Sequence, residues 1–172
     1  MKKYFQAFVA LSLLNLTACS STQADYSAMS SRELLAQCTT DMATTFHIHS
    51  HLTIMADQKN VIVPTEIGID RVKNCMSSLH THDESGVIHI ESPVQKDFTL
   101  GDFFYNWKQP FSSTQVASHS VDTNHGLKLF VDGKESTDFE NLVLTDEQSI
   151  FVDYYDLNKG PDPVPVDYKF EE

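Results

Sequence analysis

Phe46-His47-Ile48-His49-Ser50-His51-Leu52-Thr53-Ile54 alternates between apolar and polar side chains along most of its length. Period two is the repeat of a β-strand, whose successive side chains leave on opposite faces. Phe46, Ile48, Leu52 and Ile54 therefore share the face that meets the core, and His47, His49 and His51 share the other. The turn-forming run Asp57-Gln58-Lys59-Asn60 leads into Val61-Ile62-Val63-Pro64, which predicts a hairpin. A second alternating pair, Leu79 to Asp83 and Val87 to Glu91, brackets Glu84-Ser85-Gly86 and predicts another.

Polarity selects the register of that second hairpin. Opposing Leu79 to Ile90 and Thr81 to Ile88 on the core side sets His80 against His89 and His82 against Val87 on the other. A three-residue loop with Gly86 left-handed would shift the pairing by one and mix apolar with polar residues on both faces. The first register is expected, with one three-histidine face from each hairpin meeting in a single imidazole-rich site.

Working outward, Leu100, Phe103, Phe104 and Trp107 stand at helical spacing within an amphipathic helix over 99–108 that packs on the sheet. Trp107 reads as a core residue. Ser30 to Gln37 predicts a short capped helix at the edge of the fold. Leu127 to Val131, the Asp132-Gly133 turn, Leu142 to Leu144 and Ile150 to Tyr154 supply further strands. The expected fold class is α+β, a mainly antiparallel sheet of hairpins with one helix against it.

The chain has 172 residues, 24 acidic against 12 basic side chains, and 41% hydrophobic residues, enough for one domain with a useful core. An acidic balance with no basic cluster beyond Lys2-Lys3 suits cationic ligands and excludes nucleic acid as an expected partner. Met1-Lys2-Lys3, a short apolar run from Phe5 to Leu16, and Leu16-Thr17-Ala18-Cys19 read as an export signal. The last four residues resemble the lipobox of bacterial lipoproteins. That resemblance implies cleavage before Cys19, acylation of its thiol and, with Ser20 next, a Gram-negative outer-membrane anchor. The organisation expected is a signal peptide over 1–18, a lipidated tether over 19–31, a globular domain over 32–158 and a proline-containing extended tail over 159–172. Cys38 and Cys75 remain, and in an oxidising compartment they predict a disulfide, the rival reading being Cys75 as a soft metal ligand.

Eight histidines occur, and six of them, His47, His49, His51, His80, His82 and His89, lie close together in the sequence. Residues two apart in a strand are about 6.6 Å apart and can lean onto one ion, whereas the first and third of a triple, about 13 Å apart, cannot. Each strand thus supplies at most two ligands, with Asp83 and Glu91 orienting the rings or completing the coordination. All-imidazole ligation points to Zn²⁺ or Cu²⁺, then Ni²⁺ or Fe²⁺. His119 and His125, in a Ser-, Asp- and Asn-rich stretch, read as solvent residues.

The run His47-x-His49-x-His51-Leu52, Pro64-x-x-Ile67-Gly68-Ile69, Cys75, Leu79-His80-Thr81-His82-Asp83-x-Ser85-Gly86-x-Ile88-His89-Ile90-Glu91 and Leu100-Gly101-x-Phe103-Phe104-x-x-Trp107 resembles an uncharacterised family of exported prokaryotic proteins. The resemblance covers about residues 46 to 155 and implies one contiguous domain with a characteristic histidine set, but no activity. Leu79-His80-Thr81-His82 also looks like the opening strand of metal-dependent phosphoesterases of the polymerase-and-histidinol-phosphatase type, yet too little chain follows for their barrel. The expected function is a lipid-anchored protein of the periplasm or cell surface that captures, buffers or delivers a transition metal, with an envelope protein as its possible partner. The alternatives are a small metalloenzyme with Glu91 or Asp83 as base, and an adhesion or assembly module whose histidines sense pH.

Overall fold

Strand β1, Phe46–Ala56, carries the histidine run and lies inside the main sheet of the computed structural model, which describes residues 25–39, 45–165 and 168–170. The expected export signal and Cys19 lie outside the described residues. Burial along β1 follows the alternation: Ser50, Leu52, Ile54 and Ala56 are buried, and the residues between them are partly exposed. A two-residue turn, Asp57-Gln58, with both residues at positive φ, connects β1 to β2, Lys59–Val61. The turn is therefore tighter than the four residues expected, because Lys59 and Asn60 already belong to the ladder.

After β1 and β2 come three two-residue strands, β3 (Ile69–Asp70), β4 (Cys75–Met76) and β5 (Leu79–His80), then β6 (Val87–Ser92). The helices are α1, Ser31–Leu35, and α2, Leu100–Trp107. A small three-stranded sheet follows α2, formed by β7 (Phe111–Ser112), β8 (Gln115–Val116) and β9 (His119–Ser120). The last strands are β10 (His125–Val131), β11 (Lys134–Ser136) and β12 (Gln148–Asp156). The main sheet runs β11-β10-β12-β1-β6-β5, with β2 also paired to β1.

The fold is α+β with a mainly antiparallel sheet, as expected, and one strand pair is parallel. β12 runs parallel to β1, so the sheet is mixed. Leu142 to Leu144 forms no strand; Val143 makes an isolated bridge to Thr99 just before α2. In the second hairpin Leu79 opposes Ile90 and His80 opposes His89, as polarity demands, but the ladder stops there. Thr81 turns away, its N–H donating to the Ile67 carbonyl and its hydroxyl to that of Pro64, so the expected Thr81–Ile88 and His82–Val87 pairs do not form. Gly86 does take a positive φ, yet the longer loop absorbs it without shifting the register. Its carbonyl accepts from the Leu52 N–H, and a Cβ there would collide with the Leu52 carbonyl.

One face of the sheet holds Leu52, Ile54, Leu79, Ile88, Ile90, Leu129, Ile150 and Val152, buried in a common core with Leu100, Phe103 and Phe104 of α2. Thr99 and Asp102 form the capping box of that helix, and Lys108 ends it in the left-handed conformation. Leu34 and Leu35 of α1 are also buried, so α1 belongs to the core and is more than an edge element. Tyr26 and Met29 pack there too, upstream of residue 32. Cys38 and Cys75 are bonded across a Cα separation of 5.2 Å.

The other face carries the histidines at one end and Phe130, Phe151 and Asp153 at the other. The segment after β12 lies back across it rather than trailing free. Val164, Pro165 and Tyr168 line a cavity with Thr53, Phe130 and Phe151, and the Asp162 N–H donates to Asp153 Oδ2 at 2.7 Å. Asp153 is fully buried and its Oδ1 has no partner among the described residues. Burial pushes its pKa up to about 6, opposed by the Asp162 amide and assisted by the Asp162 and Asp57 carboxylates. A raised folded-state value means that stability is complete below the unfolded value of about 4 and falls as pH rises through about 6. Asp153→Asn keeps the acceptor and cannot ionise. The variant is expected to melt above the wild type near pH 8, with the gap closing near pH 4; equal melting temperatures at the higher pH would contradict this.

Candidate metal centre

β1, β6 and β5 are neighbours, and their registers set His49 opposite His89 and His89 opposite His80. Cross-strand pairs share a face, so three imidazoles lie side by side away from the core. His47 flanks His49 two residues along β1, and His82 returns from the loop after β5. His89 sits in the middle, its ring 4.6 Å from His49, 4.5 Å from His82 and 5.3 Å from His80. One ligand nitrogen each from His47, His49 and His89 lies within 4.8 Å of the others, and the same holds for His80, His82 and His89. Two of the three β1 histidines thus join the three of the second hairpin in one patch on one sheet.

His80 lies on the face turned away from the core and is nonetheless fully buried. Its Nδ1 lies 3.1 Å from the Ser77 carbonyl, which can only accept, so Nδ1 bears the proton and Nε2 a free lone pair. That Nε2 is buried with no hydrogen-bond partner among the described residues. A buried acceptor left unpaired costs on the order of 1–3 kcal/mol, and coordination of a cation would remove the penalty.

The surroundings of His49, His80 and His89 favour the neutral ring, the form that binds metal. Burial, then the neighbouring His49, His80, His82 and His47, lowers the His89 pKa to about 3. Burial also lowers His49 and His80. Glu91 stands where expected, Oε1 at 3.2 Å from His47 Nε2, and that nitrogen is 3.1 Å from His49 Nε2. Asp83 instead accepts the Ser85 N–H at 2.9 Å, a bond that fixes its own loop.

His51 is not brought into either group. Its Nε2 meets the Ser85 carbonyl at 2.9 Å and its ring stacks on Tyr168 at 3.8 Å, consistent with the extended spacing that separates it from His47. Cys75 is committed to the disulfide and is no soft ligand. His119 and His125 are partly exposed, as expected, but stand in strands beside the Tyr154 ring and not in a loop, and His125 pairs with Asp122 at 2.9 Å.

Sequence reasoning missed three contributors. Tyr168 and Phe170 line a cavity of about 250 Å³ with His49, His89 and Asp83, and their period-two spacing was the available signal. Asp146 Oδ1 accepts the His49 N–H at 3.0 Å, a contact with no local sequence signature.

Comparison of the chain with family models, curated proteins and solved structures finds no match. The chemistry therefore rests on the geometry. A depressed folded-state pKa means that the His89 contribution to stability is present above the unfolded value of about 6.5 and is lost as pH falls toward about 3. In chelator, the urea midpoint should drop between about pH 7.5 and pH 5, and His89→Asn should flatten that slope. Identical slopes in both proteins would show that His89 is not held neutral by the fold.

Proposed function

We propose that this chain is an acylated envelope protein that captures a transition-metal ion and buffers or delivers it, with Zn²⁺ or Cu²⁺ the best-suited cargo and Ni²⁺ or Fe²⁺ next. The observation that carries the proposal is His80 Nε2: buried, on a ring grouped with those of His82 and His89, and without a hydrogen-bond partner among the described residues. Two overlapping groups of three imidazoles that share His89, with Glu91 beside His47, make a donor set suited to borderline cations. Anchoring through Cys19 is supported by the lipobox-like Leu16-Thr17-Ala18-Cys19, and export by the Cys38–Cys75 bond, which suits an oxidising compartment.

A second reading, a small metal-dependent enzyme, is favoured by the cavity that Tyr168 and Phe170 share with His49, His89 and Asp83. Three protein ligands leave a coordination position for water. That reading expects metal-dependent hydrolysis of a chromogenic ester, lost in Asp83→Asn; a buffering or delivery protein shows none.

Elemental analysis of the full chain, purified in detergent without chelating resin, is expected to find bound metal that His89→Ala loses on dialysis. Undiminished metal in that variant would remove the site. Because protons compete for the same nitrogens, bound metal is also expected to leave as pH falls from about 7 to 5, followed by dialysis and elemental analysis; retention throughout would argue against imidazole ligands.

A further inference from the structure

We infer that the five imidazoles are two stations for a single ion, sharing His89: an outer station of His47, His49 and His89 and an inner one of His80, His82 and His89. This rests on the metal-binding reading above and adds to it how the ion moves. The two groups have one ligand in common and differ in surroundings. In the outer group His47 has 47% of its side chain exposed and faces the Glu91 carboxylate. In the inner group His82 is exposed, but His80 has no exposure and its Nε2 has no hydrogen-bond partner among the described residues.

One imidazole nitrogen binds one ion at a time, so a neutral His89 makes occupancy of the two stations alternative. Two ions would require His89 to lose its N–H proton and bridge through both nitrogens. An ion on the outer station can instead keep His89 while its bonds to His47 and His49 break and bonds to His80 and His82 form. No electron is transferred, and the incoming His80 nitrogen carries no proton, so nothing is released at that position except solvent. The direction follows from desolvation. Glu91 and the exposed ring of His47 attract a hydrated cation, whereas the inner station alone relieves a buried unpaired acceptor. The outer station sets the rate of loading and the inner one the strength of holding.

The test uses Zn²⁺ competing with a chromophoric chelator, on the full chain and on two variants, His47→Ala/His49→Ala and His80→Ala/His82→Ala. Wild type is expected to bind one Zn²⁺. Removing the outer pair should leave equilibrium affinity within a few-fold and slow stopped-flow uptake by about ten-fold or more. Removing the inner pair should leave fast uptake and weaken affinity by about ten-fold or more. Parallel Asn substitutions keep the polar character of buried His80, and the wild-type stoichiometry needs no variant at all. Two equivalents in wild type, or unchanged uptake without His47 and His49, overturns the two-station arrangement while leaving metal binding intact. No binding by wild type overturns the metal reading itself.

Discussion

The candidate site depends on one constraint, the registers that put His49, His89 and His80 in a row across three strands. The rings do not hold themselves there, since neutral imidazoles attract one another little and charging is opposed by burial. The opposite face does. Ile88, Ile90 and Leu79 are completely buried, and each such side chain contributes roughly 1.5–3 kcal/mol relative to exposure. Slipping β6 by one residue would exchange Ile88 and Ile90 for His89 on the core side. The apolar layer against α2 thus pre-positions the donors, and they do not have to be ordered by an ion.

What could be read in the chain followed from that periodicity. The two faces of β1, the register at Leu79 and His80, the helix carrying Leu100, Phe103, Phe104 and Trp107, and the Cys38–Cys75 pairing all come from local pattern or from counting. The parallel partnership of β1 and β12 was not legible, because alternation says which face a residue takes and nothing about which distant strand lies alongside. Thr81 leaves the ladder for partners at Pro64 and Ile67, contacts made far along the chain. His51 has the same local signature as His47 and His49, and only the ring of Tyr168 and the carbonyl of Ser85 distinguish it.

The segment after β12 explains why the histidine face is not also an apolar patch. Phe151 points to that face and is nonetheless 4% exposed, because Val164, Pro165 and Tyr168 lie over the strands there, bordering a cavity with Thr53, Phe130 and Phe151 itself. Proline suits such a crossing, being pre-set for extended backbone and needing no amide partner. The covering reaches His51, on which Tyr168 stacks, and beside His49 and His89 Tyr168 and Phe170 border a cavity. The same segment that completes the hydrophobic packing therefore shapes the approach to His49 and His89, which links access to the donors with the stability of the covering.

His125 supplies an internal contrast that bears on what the cluster is for. Its Nδ1 lies 2.9 Å from an Asp122 oxygen, and that hydrogen bond raises its pKa, as expected of a surface imidazole that shares its charge with a carboxylate. His89 lies among four other imidazoles, and burial together with those rings drives its pKa the other way. Burial and the neighbouring rings thus hold His89 neutral, and His80 Nε2 has no hydrogen-bond partner among the described residues. A fold that only needed polar residues on this face could use His125-like pairs, each satisfied by an acid. Grouping five bases with Glu91 as the nearby acid instead makes a proton a poor occupant and a coordinating cation a good one, since a metal ion can draw on three nitrogens at once where a proton uses one.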